Sequence, residues 1–105
     1  MGSVTILELE GAVTAKAGSG ALKEKIQQLV AQGNPQIVLE CSRATALDSE
    51  GVASLVQGLT AAEKRRGKVK LLNLSPAMDR VLSVVGLLKV FESFSDESRA
   101  VASFQ

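Results

Sequence analysis

A serine between two acids is the part of this sequence whose residue types could do chemistry. The stretch "LDSEG" (47 to 51) stands between an apolar run, "IVLE" (37 to 40), and a helix-like run, "VASLVQGLT" (52 to 60). The Ser49 hydroxyl could cap that helix by accepting a hydrogen bond from a backbone N–H near Ala53. It could instead be a site of modification, because a helix N-terminus tolerates an added phosphate. The residues by themselves leave both interpretations open.

The composition limits what other chemistry the chain can carry. It contains no histidine, which removes the commonest general base, the commonest metal ligand and every imidazole-dependent triad. Tryptophan and tyrosine are also absent, so base stacking and aromatic cages are disfavoured. A net charge of +1 gives no general attraction to nucleic acid or to an anionic membrane. We therefore expect a protein that is not an enzyme, needs no metal or cofactor, and does not bind nucleic acid directly.

Two further features have a chemical and a structural interpretation. Cys41 is the single cysteine and ends an apolar run, which predicts a buried small hydrophobe and excludes an internal disulfide. The segment "AGSGALK" (17 to 23) has the glycines of a phosphate loop, but it lacks the Gly-Lys-Ser/Thr close. Lys23 also stands where a dinucleotide-binding loop has its third glycine. The alternative to a nucleotide cradle is a loose start of a helix, and these mismatches favour it.

The length and the apolar fraction indicate one domain. At 105 residues and 46% hydrophobic, the chain can form a single core over residues 1–105. Its longest apolar stretch, "VLSVVGLLKVF" (81 to 91), is interrupted by polar residues and is shorter than the roughly 20 residues that cross a bilayer. The start "MGSVTILELE" has neither the anatomy of a secretory signal nor a myristoylation motif. We expect a cytoplasmic protein without membrane insertion.

Hydrophobic spacing predicts the strands. "VTILELE" (4 to 10) and "GAVT" (11 to 14) are predicted to form a short antiparallel hairpin that turns at Glu10 and Gly11. "QIVLEC" (36 to 41) reads as a central strand, followed by the loop "SRATALD", and "KVKLLNL" (68 to 74) as another strand.

The same spacing, with capping residues, predicts four helices. The first runs from Ala17 to Gln32, and the second from beside Ser49 into "EKRRG" (63 to 67). The third is bounded by the Ser75 cap and the Gly86 stop, and the last spans Ser95 to Phe104. The result is an α/β protein with a small mixed β-sheet of about four strands packed with about four helices. Right-handed crossovers place "LDSEG" at the carboxyl end of a strand, where open α/β sheets usually carry their function.

Two blocks of the sequence resemble the STAS domain of bacterial anti-sigma-factor antagonists. The Asp-Ser-Ser/Ala-Gly-apolar loop of that family is matched by the run Asp48, Ser49, Glu50, Gly51 and Val52. A second family block, Asn-x-Ser-Pro followed by a helix and Gly-Leu-x-x-x-Phe, is matched by Asn73, Ser75, Pro76, Gly86, Leu87 and Phe91. The likeness in element order covers essentially the whole chain, so the resemblance implies a STAS-like fold.

The resemblance also implies a function. In that family the serine after the aspartate is phosphorylated by a partner that is both a serine kinase and an anti-sigma factor, which here makes Ser49 the acceptor. The unphosphorylated form binds the kinase and frees the sigma factor, and a phosphatase resets the switch. The partner-binding residues are then Thr14 and the five residues from Asp48 to Val52. We expect a monomer or a weak dimer.

The sequence departs from the family pattern at two positions. Glu50 stands where the family usually has a second small residue, which puts a permanent charge beside the acceptor. Thr14 stands where the early strands of the family often end in an acid. These departures keep a second hypothesis open, in which the chain is a STAS adaptor or structural subunit of a signalling or transport complex without phosphorylation. A small enzyme or ligand binder is the third, for which no base, metal set or phosphate cradle is visible.

Two more surfaces have alternative interpretations. The basic cluster "KRRGK" (64 to 68) with Lys70 could bind an acidic partner, or it could be a solvated helix end. The apolar residues Leu87, Leu88, Val90 and Phe91 could form a partner patch, but packing against the sheet is the favoured interpretation.

Overall fold

The computed structural model describes residues 3–104 of the chain. Strands and helices alternate: β1 (Thr5–Val13), α1 (Ser19–Ala31), β2 (Gln36–Leu47), α2 (Ser49–Glu63), β3 (Lys68–Leu72), α3 (Pro76–Val84), β4 (Ser93–Phe94) and α4 (Glu97–Ala102). The α/β class that the sequence predicts is therefore confirmed.

The four strands form one parallel sheet in the order β1-β2-β3-β4. The predicted antiparallel hairpin is wrong, because its two segments belong to the single strand β1. Gly11 does have a positive φ of 77°, the conformation typical of a turn, but the chain continues beyond it and keeps pairing with β2. The expected mixed sheet depends on that hairpin, so it is corrected to a parallel sheet.

The second strand is longer than the sequence indicates. β2 has 12 residues and continues through "SRATAL", where a loop is predicted. This continuation pairs with the second half of β1, so that Arg43 lies opposite Glu10 and Leu47 opposite Val13. The register shifts twice, between Glu8 and Glu10 and between Gly11 and Ala12, and each time β2 carries the additional residue. The additional residues therefore bulge from β2, while β1 departs from regular strand geometry at Gly11, where φ is positive.

Most of the helical packing lies on one face of the sheet. Each parallel strand is added on the same side of the strand before it. Because the crossovers between such strands are right-handed, α1, α2 and α3 lie on the same face of the sheet. The main core joins these helices to the sheet, with Ile26, Leu55 and Met78 packed against Leu39 and Leu71. On the opposite face, Ala100 of α4 packs against Val38 and Leu72 of the sheet and forms a small second cluster. The rest of that face is exposed and carries Ile6 and the polar side chains Glu8, Glu10, Ser42 and Arg43.

The third and fourth helices are bounded by local capping residues. The Ser75 hydroxyl accepts a hydrogen bond from the Met78 N–H at 3.2 Å, and Pro76 is the first helical residue, as predicted. The fourth helix is shorter than the predicted 95 to 104, because the Asp96 carboxylate caps it by accepting from the Ser98 N–H. Strand β4 was not expected, since its two residues are strand-like only through their pairing with β3.

Across residues 3–104, no helix combines the length and the apolar character that crossing a membrane requires.

Candidate functional site

The segment "LDSEG" lies at the junction of β2 and α2. Leu47 is the last residue of β2, Asp48 is the N-cap, and Ser49 is the first residue of α2. This is the carboxyl edge of the parallel sheet, where the sequence places it. The crossover from β2 through α2 to β3 therefore sets Ser49 at a surface corner.

Asp48 caps α2, and the predicted Ser49 cap is wrong. One carboxylate oxygen of Asp48 accepts from the Gly51 N–H at 2.9 Å, and the other accepts from the Ala15 N–H at 3.0 Å. The backbone of Asp48 is extended while Ser49 is already helical, so geometry gives the capping role to the aspartate. These hydrogen bonds, first from Ala15 and then from Gly51, hold the pKa of Asp48 below its ordinary value.

Ser49 is exposed, and its hydroxyl makes no side-chain hydrogen bond within the described part of the chain. The neighbouring Glu50 is also exposed and belongs to the first turn of α2, where the helix dipole favours a negative charge. The corner therefore presents a free hydroxyl between two carboxylates, those of Asp48 and Glu50.

Gly51 is buried, and the reason for the glycine is packing. A Cβ at this position would overlap the carbonyl oxygen of Val13 and lie 2.6 Å from Leu47 Cδ1. The first turn of α2 thus rests directly on the end of β1. The next residue, Val52, is half-buried and packs against the main core. Of the five motif residues, Gly51 and Val52 hold the corner in place and Ser49 and Glu50 face outward.

Thr14 lies in a tight turn that is joined to the same corner. Its N–H donates to the Ala17 carbonyl at 2.6 Å, and its hydroxyl accepts from the Ala17 N–H at 3.2 Å. The adjoining Ala15 N–H donates to Asp48, so the turn after β1 and the start of α2 are linked. Thr14 therefore borders the segment, with its hydroxyl engaged within its own turn.

The glycine-rich segment serves as the start of α1. Gly18 is the N-cap, with a positive φ of 88°, and a Cβ there would overlap the Ala12 carbonyl. Its glycine is thus explained by the close approach of α1 to β1. The Ser19 carbonyl accepts a hydrogen bond from the Ser54 hydroxyl of α2 at 3.1 Å.

The sequence did not single out an opening that lies beside the middle of β2 and at the ends of β3 and β4. It has a volume of about 600 Å³ and is lined by serines with Asn73, Pro76 and Phe94. Asn73, at a φ of 55°, donates to Glu40 at 2.7 Å, and Ser42 donates to the same carboxylate. Burial raises the pKa of Glu40, but the hydrogen bonds from Ser42 and Asn73 together leave it below its ordinary value. The Asn-x-Ser-Pro block thus forms one side of this opening. In the sequence, the polar side-chain amide of Asn73 directly after a strand is the signal that could have predicted the opening.

The basic cluster is smaller than the sequence indicates. Residues 64–66 are exposed beyond the end of α2, which agrees with a solvated helix end. Lys70 does not belong to that surface, because only 5% of it is exposed. Its ammonium donates to the Ser103 carbonyl and hydroxyl at 3.1 and 2.9 Å and lies 4.4 Å from the centre of the Phe104 ring. Lys70 instead attaches the C-terminal segment to the sheet.

The apolar segment after α3 is divided between core and surface. Phe91 is buried, and Leu87 and Leu88 pack against the main core, as favoured. Val84 and Val90 are 81% and 52% exposed.

Cys41 is fully buried, as predicted. Its Sγ donates to the Leu39 carbonyl at 3.2 Å, and burial raises the pKa of the thiol to about 12. Among residues 3–104, no group of three or more His, Cys, Asp or Glu side chains is placed to hold a metal ion.

A family model described as "Mlab, STAS domain" matches residues 1–92 of the chain. No curated protein matches it significantly. Among solved structures, an anti-sigma factor antagonist from Mycobacterium paratuberculosis has a TM-score of 0.83 at 24% identity, over 97% of this chain and 86% of that chain. The Bacillus cell fate determinant SpoIIAA in its phosphorylated form has a TM-score of 0.74 at 24% identity, over 100% and 94%.

A third similar structure comes from a transporter. The STAS domain of the SulP transporter from Vibrio cholerae has a TM-score of 0.75 at 16% identity, over 96% of this chain and 80% of that chain. At these identities the structural matches establish the shared fold. The matched proteins that share this fold include anti-sigma factor antagonists and a domain of a transporter.

Proposed function

This chain belongs to the STAS-domain family, and we propose that it is an anti-sigma-factor antagonist that binds a serine-kinase anti-sigma factor and is switched by phosphorylation of Ser49. STAS domains are regulatory or binding modules. The proposal takes the whole chain, residues 1–105, as one domain that acts in the cytoplasm as a monomer or weak dimer. The surface that binds the partner comprises Thr14 and the residues from Asp48 to Val52.

The observation that carries the proposal is the free hydroxyl of Ser49. Asp48 supplies the cap of α2, so the serine is not needed to start the helix. An exposed hydroxyl can be reached by a kinase active site and brought into line with the γ-phosphate of ATP. The kinase transfers the γ-phosphoryl group of ATP to Ser49 Oγ, the hydroxyl proton passes to a base on the kinase, and ADP leaves. A phosphatase then uses water to return the hydroxyl and release phosphate.

The switch acts by charge and volume at the contact surface. A phosphoryl group adds roughly 1.5 to 2 negative charges beside the carboxylates of Asp48 and Glu50. The N-terminal end of α2 accommodates this charge through the helix dipole, so the fold persists. A partner surface that fits the unmodified corner is then excluded by repulsion and by added bulk.

A binding experiment with the purified chain tests the proposal. Wild type, Ser49→Ala and Ser49→Asp are immobilised and exposed to lysate of the native organism, and captured proteins are identified by mass spectrometry. We expect an ATP-binding serine kinase with wild type and Ser49→Ala, and its loss with Ser49→Asp. The captured kinase with ATP should also phosphorylate wild type and leave Ser49→Ala unmodified.

Ser98 offers a matched control for this experiment. It is an exposed serine in the first turn of α4, which an aspartate also caps. Ser98→Asp adds the same charge to the first turn of another helix, at its second residue, so it should bind the kinase as wild type does. Equal loss of binding by Ser98→Asp and Ser49→Asp would contradict a switch at Ser49.

Glu50 and the comparisons favour a second candidate function, a STAS adaptor in a signalling or transport complex. Glu50 already puts a carboxylate beside Ser49, and the chain is similar both to the "Mlab, STAS domain" model and to a transporter STAS domain. An adaptor would keep one partner through all three Ser49 variants. Capture of the same protein without a kinase domain by wild type, Ser49→Ala and Ser49→Asp would establish it in place of the switch.

A further inference from the structure

The outer edge of β1 is open. β1 is the first strand of the sheet and pairs with β2 on one side; within residues 3–104 no strand pairs with its other side. The strand has nine residues, and both register shifts place the additional residue in β2; from Thr5 to Glu10, before the positive φ of Gly11, β1 presents a row of backbone groups at its outer edge. Such an edge is a template for one more strand.

The inner side of this edge has room for side chains. An open pocket of about 320 Å³ lies between β1 and α1. Leu7, Leu9, Ala21 and Leu22 form its apolar part, and Glu8, Glu10 and Lys25 also line it. Alternate side chains of an added strand would point into it, because successive residues of a strand face opposite sides of a sheet. Branched apolar side chains suit this lining.

The outer side of the edge is acidic. Glu8 and Glu10 are exposed on the face away from α1, and Glu8 lies directly opposite Glu40 of β2. Arg43 is within 3.2 Å of Glu10, so three carboxylates face one guanidinium. A second copy of β1 added antiparallel would bring its own glutamates against these, which is unfavourable. Basic side chains at alternate positions are favourable there.

We infer that the edge of β1 between Thr5 and Gly11 binds an extended peptide segment of a partner protein, in which apolar residues that enter the cavity alternate with basic residues that face Glu8 and Glu10. The added strand extends the sheet to five strands. Backbone hydrogen bonds between the peptide and β1 hold the peptide in place, and its alternating apolar and basic side chains make the binding selective. Beyond Gly11 the edge is closed, because Gly18 lies against Ala12 and Gly51 against Val13. This contact is separate from the Ser49 hydroxyl.

The probe is a short synthetic peptide in which lysine and valine alternate, with a fluorescent label at one end. Its binding to the full chain is followed by fluorescence anisotropy, and the contact by amide chemical shifts and hydrogen exchange in NMR. We expect alternate amides between Thr5 and Gly11 to exchange quickly in the free protein and slowly in the complex. A glutamate-valine peptide and a peptide with N-methylated backbone should bind much more weakly.

Charge reversal on the protein tests the outer face. Glu8→Lys with Glu10→Lys should weaken peptide binding by about 2- to 30-fold, from two cross-strand ion pairs. Asp79→Lys with Glu97→Lys makes the same change in net charge on α3 and α4 and should leave binding unchanged. Because Glu8 and Glu10 are exposed, the first variant should keep the wild-type circular dichroism spectrum.

Four results would overturn the inference. The first is slow exchange of the outer-edge amides of β1 in the free protein, which would mean that another segment already covers them. The others are shifts confined to β4 or α2, equal binding by the two charge variants, and equal binding by the N-methylated peptide. Ser49→Asp should bind the peptide as wild type does, so a failure here and a failure of the phosphorylation switch are distinguishable.

Discussion

Replacing Gly51 with alanine tests whether the first turn of α2 really rests on the end of β1. The new methyl group would overlap the carbonyl oxygen of Val13, which is backbone and cannot rotate away. It would also lie 2.6 Å from Leu47 Cδ1. The start of α2 must therefore shift, and overpacking of this kind costs about 1–3 kcal/mol.

The magnitude follows from two opposing effects. A rigid obstacle places the overlap near the upper end of that range, about 3 kcal/mol. Alanine is favoured over glycine in a helix by about 1 kcal/mol, which leaves a net loss in the free energy of unfolding of about 2 kcal/mol. For a domain of this length such a loss lowers the melting temperature by about 8–16 °C.

Gly20→Ala is the matched control for this substitution. Gly20 lies in the first turn of α1, and a Cβ there would meet nothing within 4 Å. It should gain about 0.5–1 kcal/mol from the helical preference of alanine. Because the chain contains no tryptophan, urea unfolding is followed by far-ultraviolet circular dichroism. If Gly51→Ala is as stable as wild type while Gly20→Ala is stabilised, the proposed contact between α2 and β1 is refuted.

Three further outcomes are expected from residues around the site and in the core. Asp48→Asn should lower the free energy of unfolding at neutral pH. Because the pKa of Asp48 is lowered in the native protein, the stability that its carboxylate contributes is present above the ordinary pKa of 3.8 and is lost as the pH falls through the native pKa. The unfolding curves of wild type and Asp48→Asn should therefore converge in acid. Lys70→Ala should lower the free energy of unfolding by about 2 kcal/mol and speed hydrogen exchange in α4. Lys70→Met keeps the packed aliphatic stem and should lose less stability. Equal hydrogen exchange in wild type and Lys70→Ala would contradict the attachment of the C-terminal segment by Lys70. Cys41 should react with a thiol reagent at the rate of global unfolding, and rapid labelling of the native protein would contradict its burial.

Local signals in the sequence predicted the elements that depend on neighbouring residues. Ser75 and Pro76 cap and begin α3 through contacts within one turn, so their residue types suffice to place the start of that helix. The acids of "LDSEG" also marked the start of α2 correctly. The interpretation of Ser49 as the cap is wrong, although serine and aspartate are both good caps, because only the backbone angles distinguish them.

The errors concern contacts between distant parts of the chain. Gly11 permits a turn, but it also permits a strand to pass through a positive φ, and pairing with β2 decides between the two. The polar run "SRATAL" resembles a loop until β1 lies beside it. The packing role of Gly51 was not visible for the same reason, since its obstacle is Val13, 38 positions earlier in the chain.

The strand order has a consequence for how the chain can assemble. Within the described residues 3–104, each new strand joins the sheet at the side of the strand made before it, and no strand inserts between two earlier ones. A nascent chain leaving the ribosome can therefore build the sheet in the order of synthesis, with every crossover closing onto a surface that already exists. α4 and Ser103 follow all four strands in the chain, and Ser103 accepts hydrogen bonds from the Lys70 ammonium of β3. This contact therefore forms only after the strands it covers have been made, and it covers the part of the second face around Val38 and Leu72.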